Sequence, residues 1–142
     1  MKRGNPLVAW GDVRELPYLS AVINESLRTH PAAGLPLERI TPAGGVQLGG
    51  LIFPGGTNIG CSAWTLHLDQ DLWGKDAGCW RPERWIEVND TKRAEMKNSM
   101  FAFGAGSRTC IGKNVSYLEM YKLVPAVLRS FDVSSFPSRI RR

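Results

Sequence analysis

Between Leu16 and Thr29 the chain holds only two charged residues, Glu25 and Arg28, in a stretch with the period of a helix. Apolar residues recur at Leu16, Leu19, Ile23 and Leu27, which is one helical face; Pro17 suits a first turn and His30-Pro31 ends the run. Glu25 and Arg28 lie three apart, on a face roughly opposite that stripe, with Tyr18, Ala21 and Val22 beside them. On an open surface such a pair contributes less than about 1 kcal/mol. A helix this poor in charge is expected to be covered on most sides, so the pair is desolvated, and loss of one partner then costs roughly 3–5 kcal/mol. A buried carboxylate also has lone pairs to spare, which calls for donors from elsewhere in the chain.

The remaining composition fits one globular domain spanning 1–142. The hydrophobic share is 43% and the charged share 22%, which excludes disorder throughout. No apolar run approaches the roughly 20 residues of a membrane-spanning helix, and Met1 to Pro6 lacks the apolar stretch of a secretory signal. Fifteen glycines and nine prolines predict much loop. Three cysteines, Cys61, Cys79 and Cys110, form no close pair, which argues against a disulfide framework and for a reducing compartment. The net charge of +5, with pI 9.4 and five tryptophans, raises RNA binding as a possibility. The tryptophans and basic residues do not alternate as a stacking platform requires, and no nucleic-acid motif is present.

Val46 to Leu48 and Leu51 to Phe53 flank Gly49-Gly50, the pattern of a two-residue hairpin in a small antiparallel sheet. Ala63 to Leu72 reads as a short helix. Trp73 to Asn89 has no clear period and is expected to be ordered coil held by Trp80 and Trp85. A last helix begins just after Cys110, with Tyr117, Met120, Tyr121, Val124 and Leu128 on one face and Pro125 inside it. The fold class is therefore mainly α with a small antiparallel β-sheet.

Phe103 to Gly112 reads FGAGSRTCIG, a glycine-rich loop that delivers Cys110 to a helix start. Gly104 and Gly106 permit backbone angles closed to other residues and close approach to a flat partner, while a helix N-terminus favours thiolate over thiol. Arg108 is placed to meet an anion at the rim, Gly112 keeps the helix start free of a side chain, and Phe103 is placed to cover the sulfur. The loop is not a Walker A motif, because five residues separate Gly106 from Gly112 and Asn114 follows Lys113. It fails GxGxxG at Thr109. A phosphatase-like cysteine needs its arginine afterwards, and a protease-like one needs a histidine partner, whereas His30 and His67 are far away in sequence. Zinc is poorly served without a Cys-x-x-Cys pair. His30 and His67 are expected to have ordinary helix roles, and Cys61 and Cys79 to be ordinary core.

Position by position the loop is similar to FxxGxRxCxG, the haem-binding loop of the cytochrome P450 family of haem-thiolate monooxygenases. Phe103, Gly106, Arg108, Cys110 and Gly112 occupy its named positions. Glu25-Ser26-Leu27-Arg28 resembles the family's ExxR motif and Pro82-Glu83-Arg84-Trp85 its PERW segment. The resemblance runs from about Glu15 to Ser134, strongest to fungal microsomal members, and implies the C-terminal part of that fold. It implies Cys110 as the axial ligand of haem b iron, with Phe103, Gly104, Gly106, Arg108 and Gly112 cradling the cofactor. It further implies a second propionate contact from Arg39, a substrate pocket at Leu35 and Leu37, and a structural network of Glu25, Arg28 and Arg84.

The family's central oxygen-activating helix has no counterpart here, since Ala43-Gly44-Gly45 lacks the following threonine and precedes a hairpin. The expectation is a fragment of a monooxygenase that inserts one oxygen atom of O₂ into a small hydrophobic substrate, with no catalytic residue beyond the Cys110 thiolate. Electrons would come from NADPH through a reductase, and the parent enzyme would sit on the cytosolic face of the endoplasmic reticulum. A catalytically inactive haem-binding fragment is the alternative. Five Lys or Arg residues against the single acid Glu95 between Lys92 and Lys113 suggest a docking face for an acidic reductase, with Lys92 and Lys97 as contacts.

Overall fold

A computed structural model describes residues 8–132. The chain begins with α1 (Trp10–Val13) and α2 (Pro17–Thr29), passes through four short strands, and continues into α3 (Ala63–His67) and α4 (Gln70–Trp73). A single 3₁₀ turn at Pro82–Trp85 precedes α5 (Asp90–Asn98), and a second at Gly106–Arg108 precedes α6 (Lys113–Ser130).

Helix α2 starts with Pro17 in its first turn and ends where His30 leaves helical angles and donates its amide to Ser26 O at 2.9 Å. Its buried residues are Ala21, Ile23, Glu25 and Arg28. Ala21, Glu25 and Arg28 follow i, i+4, i+7, so the face packed inward carries the charged pair. The Leu/Ile stripe is less covered than its period suggests: Leu16 is 45% exposed and Leu19 and Leu27 are half-buried. The reason is packing. The 3₁₀ turn and α3 lie against the polar side of α2, while α6 takes another side. The core beneath is Ala21, Trp73, Ala77, Trp85 and Met96, fringed by Leu72, Val88 and Met100.

The strands form two antiparallel pairs rather than one sheet. β2 (Val46–Leu48) and β3 (Leu51–Phe53) make the expected hairpin, with Val46 opposite Phe53 and Leu48 opposite Leu51. Gly49 and Gly50 both have positive φ, +55° and +81°, the requirement of a type I′ turn. β1 (Leu37–Ile40) pairs with β4 (Asn58–Cys61), placing Leu37 opposite Cys61 and Arg39 opposite Ile59. Thr41 ties the base of the hairpin: its hydroxyl donates to Pro54 O at 2.6 Å and accepts the Thr57 amide at 2.9 Å.

The stretch Ala63 to Leu72 divides into α3 and α4 because the Asp69 carboxylate accepts the Asp71 and Leu72 amides and starts a new helix. In the following coil the buried tryptophans are Trp73 and Trp85, whereas Trp80 is 54% exposed and donates to Ser26 Oγ at 3.3 Å. α5 begins at an Asn89 cap that accepts the Lys92 amide at 2.8 Å. α6 continues through Pro125; Tyr117, Met120, Tyr121 and Val124 are half-buried, and Leu128, expected on the same face, is exposed. Two tyrosine hydroxyls fasten it to α2, Tyr121 to Ser20 Oγ at 2.7 Å and Tyr117 to Asn24 Oδ1 at 3.3 Å. No described helix is long and apolar enough to cross a membrane.

Gly45, just ahead of the hairpin, has φ +73°, and a Cβ there would lie 2.6 Å from Phe53 O, whereas one at Gly44 would meet nothing within 4 Å. Gly45→Ala is therefore expected to destabilise the hairpin by at least about 1–3 kcal/mol. Gly44→Ala should stay within about 0.5 kcal/mol. Urea unfolding and amide exchange across residues 46–53 check the pair.

Candidate functional site

The charged face of α2 organises the coil that follows α4. Glu25 accepts five hydrogen bonds. Its Oε1 takes Arg28 Nη2 at 2.8 Å, the Arg81 amide at 2.9 Å and Arg84 Nε at 3.0 Å; its Oε2 takes Arg28 Nε at 2.9 Å and Trp85 Nε1 at 3.0 Å. The arginine pairing is bidentate, the strongest form available to a carboxylate. Burial alone would push the Glu25 carboxyl up; the Arg28 hydrogen bonds, the Arg81 amide, the Arg28 charge and Arg84 outweigh it and hold the group below its ordinary value.

The two arginines spend their other donors on backbone carbonyls. Arg28 Nη1 donates to His67 O and Ala77 O, both at 2.6 Å, and Nη2 to Cys79 O at 3.0 Å. Arg84 donates to Trp73 O at 2.8 Å, Asp76 O at 3.0 Å and Cys79 O at 3.1 Å, and pairs with the Asp76 carboxylate at 3.1 Å. The Trp73 ring lies 5.4 Å from the Arg28 guanidinium carbon. Among the described residues no buried side-chain nitrogen or oxygen lacks a partner.

The cysteine loop follows α5. Gly104 and Gly106 both have positive φ, +69° and +66°, as a tight loop of this kind demands. A Cβ on Gly104 would lie 3.3 Å from Leu37 Cδ1, so the loop runs close against β1. Gly112, by contrast, has an ordinary helical φ of −80°, and a Cβ there would sit 3.7 Å from Cys110 Sγ, in normal contact. Cys110 is held by its backbone, its amide donating to Phe103 O at 2.9 Å and its carbonyl accepting the Lys113 amide at 3.3 Å. It is exposed. Phe103 does not enclose it, because that ring is engaged with Tyr117 at 5.5 Å, and the column continues through Tyr121 to Trp10.

A cleft of about 680 Å³ opens beside the loop, lined by Leu37, Arg39, Leu48, Phe53, Ile59, Cys61, Phe101 and Ala105 among others. Leu37 and Arg39 thus come together with the loop. Leu35 does not line this cleft and is 80% exposed, and Arg108 is exposed on the loop itself. Cys61 and Cys79 are exposed, not core: Cys61 sits in an edge strand, and Cys79 contributes its carbonyl to the arginines. On the other side of the loop a second cleft of about 540 Å³ is lined by Trp10, Arg14, Lys97, Phe103, Lys113, Tyr117 and Tyr121 among others. Lys92 is engaged with Glu95 at 2.9 Å, and Arg93 with Asp90 and the Trp85 and Val88 carbonyls. Lys97 and Lys113 line this second cleft together with Arg14, which pairs with Glu15 at 3.1 Å.

Residues 2–141 match the sequence model of the family described as Cytochrome P450. The chain belongs to the cytochrome P450 family. It is 52% identical over 128 residues to a cytochrome P450 monooxygenase of Aspergillus terreus, covering 90% of this chain and 26% of that protein. It is 46% identical over 134 residues to the cytochrome P450 monooxygenase cicH of Emericella nidulans, covering 93% and 27%. With a pisatin demethylase of Fusarium vanettenii it shares 45% over 126 residues, covering 89% and 24%. The chain spans about a quarter of the length of the curated relatives it matches. Helices with small antiparallel strand pairs agree with part of the P450 fold.

Sequence reasoning missed three parts of this arrangement. Trp85 Nε1 is a fifth donor to Glu25, Asp76 neutralises part of Arg84, and His67 joins α2 to the segment before the loop. Only Trp85 left a signal, as the residue completing PERW.

Glu25→Gln is expected to destabilise the chain by roughly 3–5 kcal/mol, because Arg28 is left buried without its counter-charge and Arg84 keeps only the partly exposed Asp76. The pH dependence has a definite sign. The folded carboxyl titrates below the unfolded value of about 4.3, so stability is full above that value and falls as pH drops below it. Denaturant midpoints measured from pH 7 to pH 3 should show that slope for the parent chain and a shallower one for Glu25→Gln.

Proposed function

We propose that residues 1–142 are the haem-ligating part of a cytochrome P450 monooxygenase domain, with Cys110 as the axial thiolate. The observation that carries this reading is the loop itself: an exposed cysteine, held by its backbone, on a loop whose two glycines take positive φ beside a largely apolar cleft. The donor set suits such a cofactor. Among the described residues there is no cluster of three or more metal-ligating side chains, and a porphyrin-bound iron would ask the protein for a single donor such as Cys110. When bound, haem b would supply the activation of O₂ for insertion into an organic substrate, a chemistry favoured by a thiolate donor.

The protein's own residues bind and orient. Arg39, in the cleft, and Arg108, on the loop, are the cations available to propionates. Gly104 and Gly106 give the loop its shape, and Gly112 adjoins the sulfur, where a Cβ would make ordinary contact at 3.7 Å. Leu37 faces the substrate side. Leu35 has less support, standing outside the cleft. The exposed apolar residues of α6, Val115, Leu118, Leu123 and Leu128, are in this reading a surface that the rest of a full-length chain covers. An acidic, NADPH-dependent reductase would meet the second cleft, where Arg14, Lys97 and Lys113 converge. A parent enzyme on the endoplasmic reticulum is consistent with this partner.

Hemin reconstitution followed by a ferrous carbon monoxide spectrum tests the ligand. The parent chain should give the thiolate signature and Cys110→Ala should lose it; identical spectra would remove Cys110 from the role. Lys97→Glu with Lys113→Glu should slow reduction by the reductase about tenfold at low salt, with the difference shrinking as salt is raised. An unchanged rate at low salt would rule out this docking face. Haem uptake without NADPH-dependent turnover of any substrate would instead support an inactive haem-binding chain.

A further inference from the structure

His67, the last residue of α3, is 1% exposed and bonds through both ring nitrogens to segments far away in sequence. Nδ1 lies 2.8 Å from Arg28 O, and Nε2 lies 2.8 Å from the Phe101 amide nitrogen. A carbonyl can only accept and a backbone amide can only donate, so the ring carries its proton on Nδ1 and offers a bare Nε2. Its own carbonyl accepts from Arg28 Nη1, so His67 is joined to Arg28 twice.

Phe101 is the far end of this link and the near end of the cysteine loop. Its carbonyl accepts the Gly104 amide at 2.9 Å, and the Phe103 carbonyl accepts the Cys110 amide at the same distance. A continuous series of hydrogen bonds thus runs from the Glu25–Arg28 pair through His67 to the backbone that holds Cys110. We propose that His67, as the neutral imidazole protonated at Nδ1, is the positioning residue that fixes the Cys110 loop to the buried ion cluster, and that a proton on Nε2 releases the loop at Phe101. Its relevance to haem rests on the reading given above; the link itself does not.

The surroundings oppose the charged form. α2 presents the Arg28 guanidinium, whose counter-charge Glu25 is already paired; α4 presents the uncharged Trp73 ring edge-on at 5.9 Å; the loop presents the Phe101 amide. Burial and then the Arg28 charge pull His67 below its ordinary value, against the raising effect of the Arg28 carbonyl. The unfolded chain therefore takes up this proton first as pH falls. The stability that His67 contributes is complete above about 6.5 and is lost as pH drops below it.

The chain has two histidines, and exposed His30 serves as the internal reference for imidazole ¹⁵N shifts. At pH 7–8 the 142-residue chain, without hemin, should show His67 protonated at Nδ1 and bare at Nε2. On acidification, Nε2 protonation and loss of Phe101 amide protection should coincide. The Nε2–H tautomer at neutral pH, or a Phe101 amide indifferent to the titration, overturns the proposal. Variants separate the two links: His67→Gln can place an amide oxygen near Nε2, whereas His67→Asn reaches only the Nδ1 position. Hemin affinity should fall about tenfold in His67→Asn and stay within about threefold in His67→Gln. Equal affinities in both variants, whether high or low, overturn the proposal. If a variant does not fold, or if the chain takes up no hemin and the haem reading fails, the tautomer and Phe101 measurements on the parent chain still decide it.

Discussion

One desolvated carboxylate makes the rest of this structure possible. The segment from Trp73 to Asn89 has little regular structure, yet it packs against α2 with Ala77, Pro82, Arg84 and Trp85 buried. Backbone carbonyls in such a segment have no helix or sheet to satisfy them, and a buried loop is normally excluded for that reason. Here Arg28 and Arg84 supply the donors, meeting the carbonyls of His67, Trp73, Asp76, Ala77 and Cys79. Two guanidinium groups can be buried only beside negative charge; Glu25 is the buried one that both share, with partly exposed Asp76 added at Arg84. The cluster therefore does for an irregular segment what hydrogen-bond ladders do for a sheet. It is specific where hydrophobic packing alone would be permissive, because the planar guanidinium donors meet particular carbonyls in fixed directions.

How much of this was legible follows from what each residue signals locally. The ion pair was readable because a helix with two charges must hide them. The direction it faces was not, since the Leu/Ile stripe competes with Ala21, Glu25 and Arg28 for the interior, and the stripe loses once five donors converge on Glu25. The hairpin was readable from Gly49-Gly50, whose positive φ values only a particular turn uses. β1 and β4 were not, because Leu37–Ile40 and Asn58–Cys61 pair across a long connection and neither four-residue strand carries a β-branched run. α5 was missed because its Lys, Arg and Glu residues show no apolar stripe; Asn89 at its start is the one local mark. In the candidate site, the loop was legible from its glycines and Cys110. Nothing in a lone histidine near the end of a short helix announces that both of its nitrogens are engaged.

The loop's position is set from two sides at once. Toward α6, Phe103 enters an aromatic column with Tyr117, Tyr121 and Trp10, and Tyr117 and Tyr121 are in turn anchored to α2 by their hydroxyls. Toward the strands, Gly104 runs against Leu37, and Ala105 shares a cleft with Arg39 and Phe101. The first contact fixes the depth of the loop and the second its lateral position, while His67 and the Gly104 turn fix where it begins. None of these contacts uses the Cys110 side chain. Its backbone is held by the Phe103 carbonyl and the Lys113 amide, neither of which engages the sulfur. In the proposed role such a sulfur would need little rearrangement to acquire a partner, since a site held from a rigid scaffold keeps its geometry better than one that must order on binding. The same logic explains why an exposed cysteine here differs from exposed Cys61 and Cys79. Cys61 stands on an edge strand and Cys79 is used through its carbonyl, whereas the elements around Cys110 converge on its backbone and leave the thiol free.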